Sequence, residues 1–212
     1  MNKYLLVSIA ALAVTGCASS AVMEVAPAVT TYAANRDEIP GRWAVIVETD
    51  AIPNTYESSE FTCSTWSYSV DAQTAFEESV LSSLETAFQE IRPADRLLTG
   101  AQAQADDLMG TITVTVDRMD ADLQWLTGFW TQKARSTASM RIGVDVRDHN
   151  GDRIAGFSEG SQRSAEADQG GCGAGSEAIA RAISSATEDL MEQSLERLLD
   201  NNEIRGSAAT AR

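Results

Sequence analysis

Apolar and polar positions along this chain follow two periods, and the changes between them mark out its elements. Trp43-Ala44-Val45-Ile46-Val47 is a near-continuous apolar run that suits a buried strand. Pro53-Asn54 marks a turn. From Phe61 to Val70 the pattern alternates, with Trp66, Tyr68 and Val70 on one parity and Phe61 and Cys63 on the other, which predicts a second strand. Asp71 stands where a helix cap would, since its carboxylate can accept backbone N–H bonds from the next turn. Phe76, Val80, Leu84, Ala87, Phe88 and Ile91 follow at spacings of three and four. They predict one amphipathic helix over 72–91, ended by Pro93.

The period of two returns with Ile112, Val114 and Val116 set between threonines, a strand with one wet face. Ala138, Met140, Ile142, Val144 and Val146 alternate in the same way with Ser139, Arg141, Asp145 and Arg147. Asn150-Gly151 reads as a tight hairpin turn, because both residues tolerate positive φ, and Ile154 to Arg163 is the returning strand. Ser176 then caps a long helix with Ile179, Ile183, Ala186, Leu190, Leu195, Leu198 and Leu199 as its stripe. The order predicts an α+β fold. An antiparallel or mixed sheet of about five strands carries two amphipathic helices on one face and leaves its threonine-rich face to solvent.

The first residues have a different character. Lys3 precedes Tyr4 to Val14, a mostly apolar run too short to span a bilayer and typical of a signal-peptide core. It leads into Val14-Thr15-Gly16-Cys17, which resembles the lipobox of bacterial lipoproteins. The resemblance implies cleavage before Cys17, a diacylglyceryl group on its sulfur and acylation of the new amine. Several acyl chains together make a lasting anchor in the bilayer. Ala18 stands where an aspartate would resemble an inner-membrane retention signal, so the resemblance implies the periplasmic face of the outer membrane. The chain then divides into a leader (1–16), lipidated Cys17 with a flexible tether to residue 38, a single periplasmic domain (39–200) and a polar tail (201–212). Element order and lipobox together resemble the small α+β envelope-assembly and transport-auxiliary lipoproteins. That resemblance implies an envelope protein as partner.

Composition narrows the function classes. Hydrophobic residues make up 43% of the chain, enough for a core. The formal net charge of −15 repels nucleic-acid phosphates, so no nucleic-acid partner is expected. It also disfavours lying flat on anionic lipid other than through acyl chains. With Cys17 taken by lipid, Cys63 and Cys172 remain, and in an oxidising periplasm they are expected to pair. Such a bridge closes a long loop, worth about 3–5 kcal/mol in the chain-entropy model. A metal site and a cofactor are not expected, with no CxxC motif and a single histidine, His149.

Several segments invite a functional reading. Leu123-Gln124-Trp125-Leu126-Thr127-Gly128-Phe129-Trp130 reads as a loop between strands, and two of the four tryptophans lie in it. Trp125, Leu126, Phe129 and Trp130 are the candidate partner-binding residues, either as an exposed tip or as a loop folded over the core. Gln169 to Ser176 is glycine-rich, but it lacks a Walker lysine and reads as the flexible segment that lets Cys172 reach Cys63. Asp117, Asp120 and Asp122, with Asp106 and Asp107 upstream, are a candidate cation cluster; simple alternation puts Asp117 on the opposite face. Asp148 to Asp152 looks more like a hairpin turn than a calcium loop. His149 falls in that turn, a poor place for a preorganised triad, and an enzyme is not expected. The expectation is a non-enzymatic, membrane-anchored adaptor or assembly factor. The alternative is a binding module for a small apolar or lipid-like ligand, held between sheet and helices.

Overall fold

The computed structural model describes residues 19–28, 36–58, 63–127, 132–168 and 171–210. The first half runs β1 (Ser19–Glu24), β2 (Ile39–Glu48), β3 (Thr55–Glu57), β4 (Trp66–Asp71), α1 (Ala72–Glu85) and β5 (Phe88–Pro93). The second runs α2 (Gly100–Ala105), β6 (Gly110–Thr127), β7 (Gln132–Asp148), β8 (Arg153–Ala167), a 3-10 turn (Gly171–Gly173), α3 (Ala174–Leu199) and α4 (Asn202–Thr210). A five-stranded sheet has the order β5-β2-β6-β7-β8, and a three-stranded one has the order β1-β4-β3. Strand β2 is parallel to both β5 and β6, while β6, β7 and β8 are antiparallel, so the larger sheet is mixed. The fold is α+β.

The expected division into a dry and a wet face holds over the long strands. Ile112, Val114, Val116, Met140, Ile142, Val144 and Val146 are buried under α1 and α3, in one core with the stripes of both helices. Thr113, Thr115, Arg141 and Gly143 point away, and no helix covers them there. The run Trp43–Val47 within β2 is apolar without a break because residues 43–46 are buried on both sides of the sheet. Trp43 and Val45 enter the main core, while Ala44 packs with Ala103 and Leu108 in a satellite core beneath α2. A Thr99–Gln102 capping box starts α2.

Four elements differ from the sequence expectation. The helix predicted over 72–91 starts on schedule, with Asp71 accepting from the Thr74 N–H at 3.3 Å, but it ends at Glu85. Phe88 then begins β5, packing edge-on against Trp43 at 5.6 Å between ring centroids. The polar tail expected over 201–212 contains α4, pinned by the fully buried Ile204. Helix α3 begins at Ala174, so Ser176 is not its cap; its hydroxyl donates back to the Gly173 carbonyl at 2.9 Å.

The largest difference lies in the expected tether. Ser19–Glu24 is a strand in register with β4, from Ser19 opposite Trp66 to Glu24 opposite Asp71. Val25 and Ala28 are buried. The Ala26 carbonyl accepts from Ser184 of α3 at 3.3 Å, and the Ala28 N–H donates to Ser79 of α1 at 2.8 Å. Arg36 pairs with Asp200, and Arg205 donates to the Asp37 carbonyl. The described residues therefore meet the domain at both ends of α3, Ser19 near the disulfide at its first turn and Arg36 at the residue after its last.

Candidate functional site

The long hairpin extends further than the sequence suggests. Residues 123–127, expected in a loop, continue β6 in register with β7 as far as Thr127 opposite Gln132. Trp125 lies opposite Ala134 and is 6% exposed, so it closes the core rather than presenting a tip. Leu126 is half-buried. Phe129 and Trp130 lie outside the described residues, as do Cys17 and the rest of the leader.

Beside this end lies the disulfide. Cys63 and Cys172 are joined, their Cα atoms 5.6 Å apart across 109 residues of sequence. The bridge ties the segment before β4 to the turn that opens α3. Cys63 and Gly171 both take positive φ, +60° and +55°. This is the geometry expected of a glycine-rich segment that lets Cys172 reach its partner. One turn on, a Cβ on Gly175 would lie 2.5 Å from the Tyr68 ring and 2.9 Å from Leu123. The absent side chain lets helix, small sheet and large sheet meet.

The aspartate cluster is arranged differently from simple alternation. A β-bulge between Val116 and Arg118 inserts one residue and reverses the parity. Val116 and Met119 both stay in the core, and Asp117, Asp120 and Asp122 all reach the wet face. Asp117 overhangs Gly143, whose Cβ would lie 3.6 Å from its carboxylate. These acids are interleaved with cations. Asp120 pairs with Arg118, and Arg118 lies directly opposite Arg141 in the β6–β7 register. Asp145 pairs with Arg147 at 3.0 Å and Arg153 at 2.6 Å, and Glu166 pairs with Arg135. Among the described residues no group of three or more His, Cys, Asp or Glu side chains is placed to hold a metal ion. The sequence reading placed Arg141 on the polar side of its strand but did not bring Arg118 opposite it, because strict alternation through Asp117 passes over the bulge that sets their register.

His149 sits in the predicted hairpin turn, where Gly151 takes φ +91°. Asp148 organises the turn, accepting from the N–H groups of Asn150 at 2.8 Å and Asp152 at 2.9 Å. Burial works against its ionisation, yet these bonds and the neighbouring His149 hold its carboxyl below the usual range.

Three open cavities and one small gap bear on the site. One of about 670 Å³ lies between β8 and the last turn of α3, lined by Phe157, Glu159, Gln193, Glu196, Arg197 and Asp200. Within it Arg197 pairs with Glu159 and stands 5.5 Å over the Phe157 ring. A trough of about 790 Å³ crosses the wet face between Asp117 and Gln162. A third, of about 460 Å³, lies beside α2. Between sheet and helices, amid Val80, Val114, Ile142, Met191 and Leu195, the gap is only about 10 Å³. No helix among the described residues is long and apolar enough to cross a membrane.

No family model matches the chain, and no curated protein does. Its architecture does recur among solved structures. A Xanthomonas campestris protein of the family DUF330 superposes with a TM-score of 0.54 and 11% identity, over 92% of this chain and 99% of that one. A homolog of neuraminyllactose-binding hemagglutinin from Helicobacter pylori gives 0.48 and 12%, over 83% and 94%. A minor lipoprotein from Acinetobacter baumannii gives 0.43 and 10%, over 76% and 91%. The first likeness establishes a shared fold across nearly the whole of both chains; at 11% identity it is a likeness of fold alone.

Proposed function

We propose that this chain is a lipid-anchored protein of the bacterial envelope, held by Cys17 at the periplasmic face of the outer membrane. There its domain serves as a non-enzymatic adaptor or assembly factor for another envelope protein. The observation that carries the reading is the uncovered face of β6, β7 and β8. These strands run 18, 17 and 15 residues, and one side of them bears threonines, serines and paired charges with no helix over it. Natural antiparallel sheets do leave one face wet. On this face Asp120, Asp145 and Glu166 already pair with arginines, while Arg118 and Arg141 stand side by side, which suits a polar partner surface that supplies acceptors. The ligand-binding alternative has less support: a small-molecule site holds roughly 300–1,000 Å³ and is mostly apolar, whereas the apolar gap between sheet and helices is about 10 Å³ and the cavity of that size between β8 and α3 is lined chiefly by polar and charged side chains.

A photo-crosslinking amino acid placed at Arg141 or Gln162 on the wet face, compared with Glu188 on the outer side of α3, tests this in intact cells. All three positions are exposed. A stoichiometric adduct from Arg141 and Gln162 but not from Glu188 is expected. Equal or absent adducts at the sheet positions would refute the proposed surface.

A further inference from the structure

We infer that the domain stands on its membrane by the disulfide end, with the bilayer that holds the Cys17 acyl chains lying against that end alone. The inference rests on the lipoprotein reading above and adds an orientation to it.

The first argument is length of chain. Strand β1 begins at Ser19, two residues after Cys17, and two residues span at most about 7 Å. Ser19 is registered opposite Trp66, three residues from the disulfide. The slack expected of a tether is absent, because residues 19–28 are paired or packed against β4, α1 and α3. A lipid on Cys17 therefore pulls directly on one end of the molecule. Helix α3 has 26 residues, about 39 Å, so its far end is carried that distance away from the anchored end.

The second argument is charge. Take the described residues at this end: β6 from Gln124, β7 as far as Arg135, β8 from Glu166, the 3-10 turn, α3 as far as Arg181, and Cys63–Trp66. Their acidic side chains are Glu166, Asp168 and Glu177, and each is paired, with Arg135, Lys133 and Arg181 in turn. These described residues thus carry no net charge between them, in a chain of −15. The opposite end mixes both signs as well, with Glu196, Asp200 and Glu203 among Arg36, Arg197 and Arg205 beside the last turn of α3, and Asp148 and Asp152 beside Arg147 and Arg153 at the hairpin turn. An anionic bilayer therefore meets no excess of negative charge among the described residues of the first end, so charge permits the contact that chain length dictates. Apolar material is also available where the anchor emerges. Val22 on β1 is 80% exposed, and Trp66 is half-buried, a residue type favoured at membrane–water interfaces.

Depth-dependent quenching tests the orientation. Full-length, lipidated protein is reconstituted into vesicles of phosphatidylethanolamine and phosphatidylglycerol that contain a headgroup spin label. A fluorescent amino acid is placed at Thr65, exposed at the disulfide end, or at Glu203, exposed on α4. Quenching several-fold stronger at Thr65 is expected, and a ten-residue Gly-Ser insertion between Ala18 and Ser19 should bring it down toward that at Glu203. Protein that floats with the vesicles but is quenched equally at both sites, or more at Glu203, overturns the orientation alone. Thr65 quenching untouched by the insertion overturns the argument from spacing. Protein that fails to float, with no acyl mass on Cys17, overturns the lipoprotein reading and the orientation with it.

Discussion

Tyr68 and Gly175 share a single packing solution at the junction of the two sheets. The Tyr68 ring is fully buried, and the close approach of α3 depends on Gly175 having no side chain. Among the described residues the buried phenol oxygen has no hydrogen-bond partner, and burial pushes its pKa up. An unsatisfied buried hydroxyl costs about 1–3 kcal/mol, so Tyr68→Phe is expected to stabilise the domain by about 1 kcal/mol in urea denaturation. Gly175→Ala should act in the opposite sense by about 1–3 kcal/mol, because its Cβ overlaps ring and leucine atoms that have nowhere to move. Asp148 works through charge instead. Its carboxyl is held below the usual range in the folded state, so its contribution is fully present above the unfolded value and is lost as pH falls through the folded one. The stability difference between the protein and Asp148→Asn is therefore expected at neutral pH and should disappear on acidification below about pH 4. Urea midpoints measured across that range check it.

Elements were legible where one pattern served one environment. The β6–β7–β8 meander, the Asn150-Gly151 turn and the stripe of α3 follow directly from alternation and helical spacing. Phe88 and Ile91 were misassigned because they satisfy two patterns at once. They continue the helical stripe of α1, yet tertiary pairing with β2 and the ring of Trp43 draw them into a strand. The bulge at Asp117 does leave a trace, since the apolar positions change from even (Ile112, Val114, Val116) to odd (Met119, Ala121, Leu123, Trp125), but simple alternation carried through Asp117 passes over it. The disulfide could be inferred from cysteine count and compartment, and the structure shows what it does for the elements. It joins the start of β4 to the start of α3 across 109 residues. Constraining so long a loop in the unfolded chain is worth about 4–5 kcal/mol in the entropic model. The double variant Cys63→Ala/Cys172→Ala should lose stability on that scale in denaturant melts, and reductant should leave the variant unaffected while destabilising the wild type.

At the scale of the whole molecule, the question is whether residues 19–28 belong to the anchor or to the domain. Composition assigns them to the anchor, because serine, alanine and valine without a period look like linker. Packing assigns them to the domain. They supply a strand to the small sheet, Val25 to the core, and hydrogen bonds to α1 and α3. Periodicity cannot reveal such a segment, because a short strand pairing with a distant one needs only a few apolar positions, and these fall at irregular intervals. The two assignments predict different outcomes for a soluble version lacking the leader and Cys17. Deleting residues 19–28 from it would cost nothing if they were tether. Burying one valine side chain is worth about 1.5–3 kcal/mol, and the strand pairing adds to it, so the deletion is expected to cost at least about 2 kcal/mol in chemical denaturation. Hydrogen exchange gives an independent check. Amides of β4 facing β1 should be protected in the longer form and should exchange faster in the shorter one, while those of β6 and β7 keep their order of protection. A loss confined to the small sheet would place β1 as its closing strand, and so as the rigid coupling between anchor and domain.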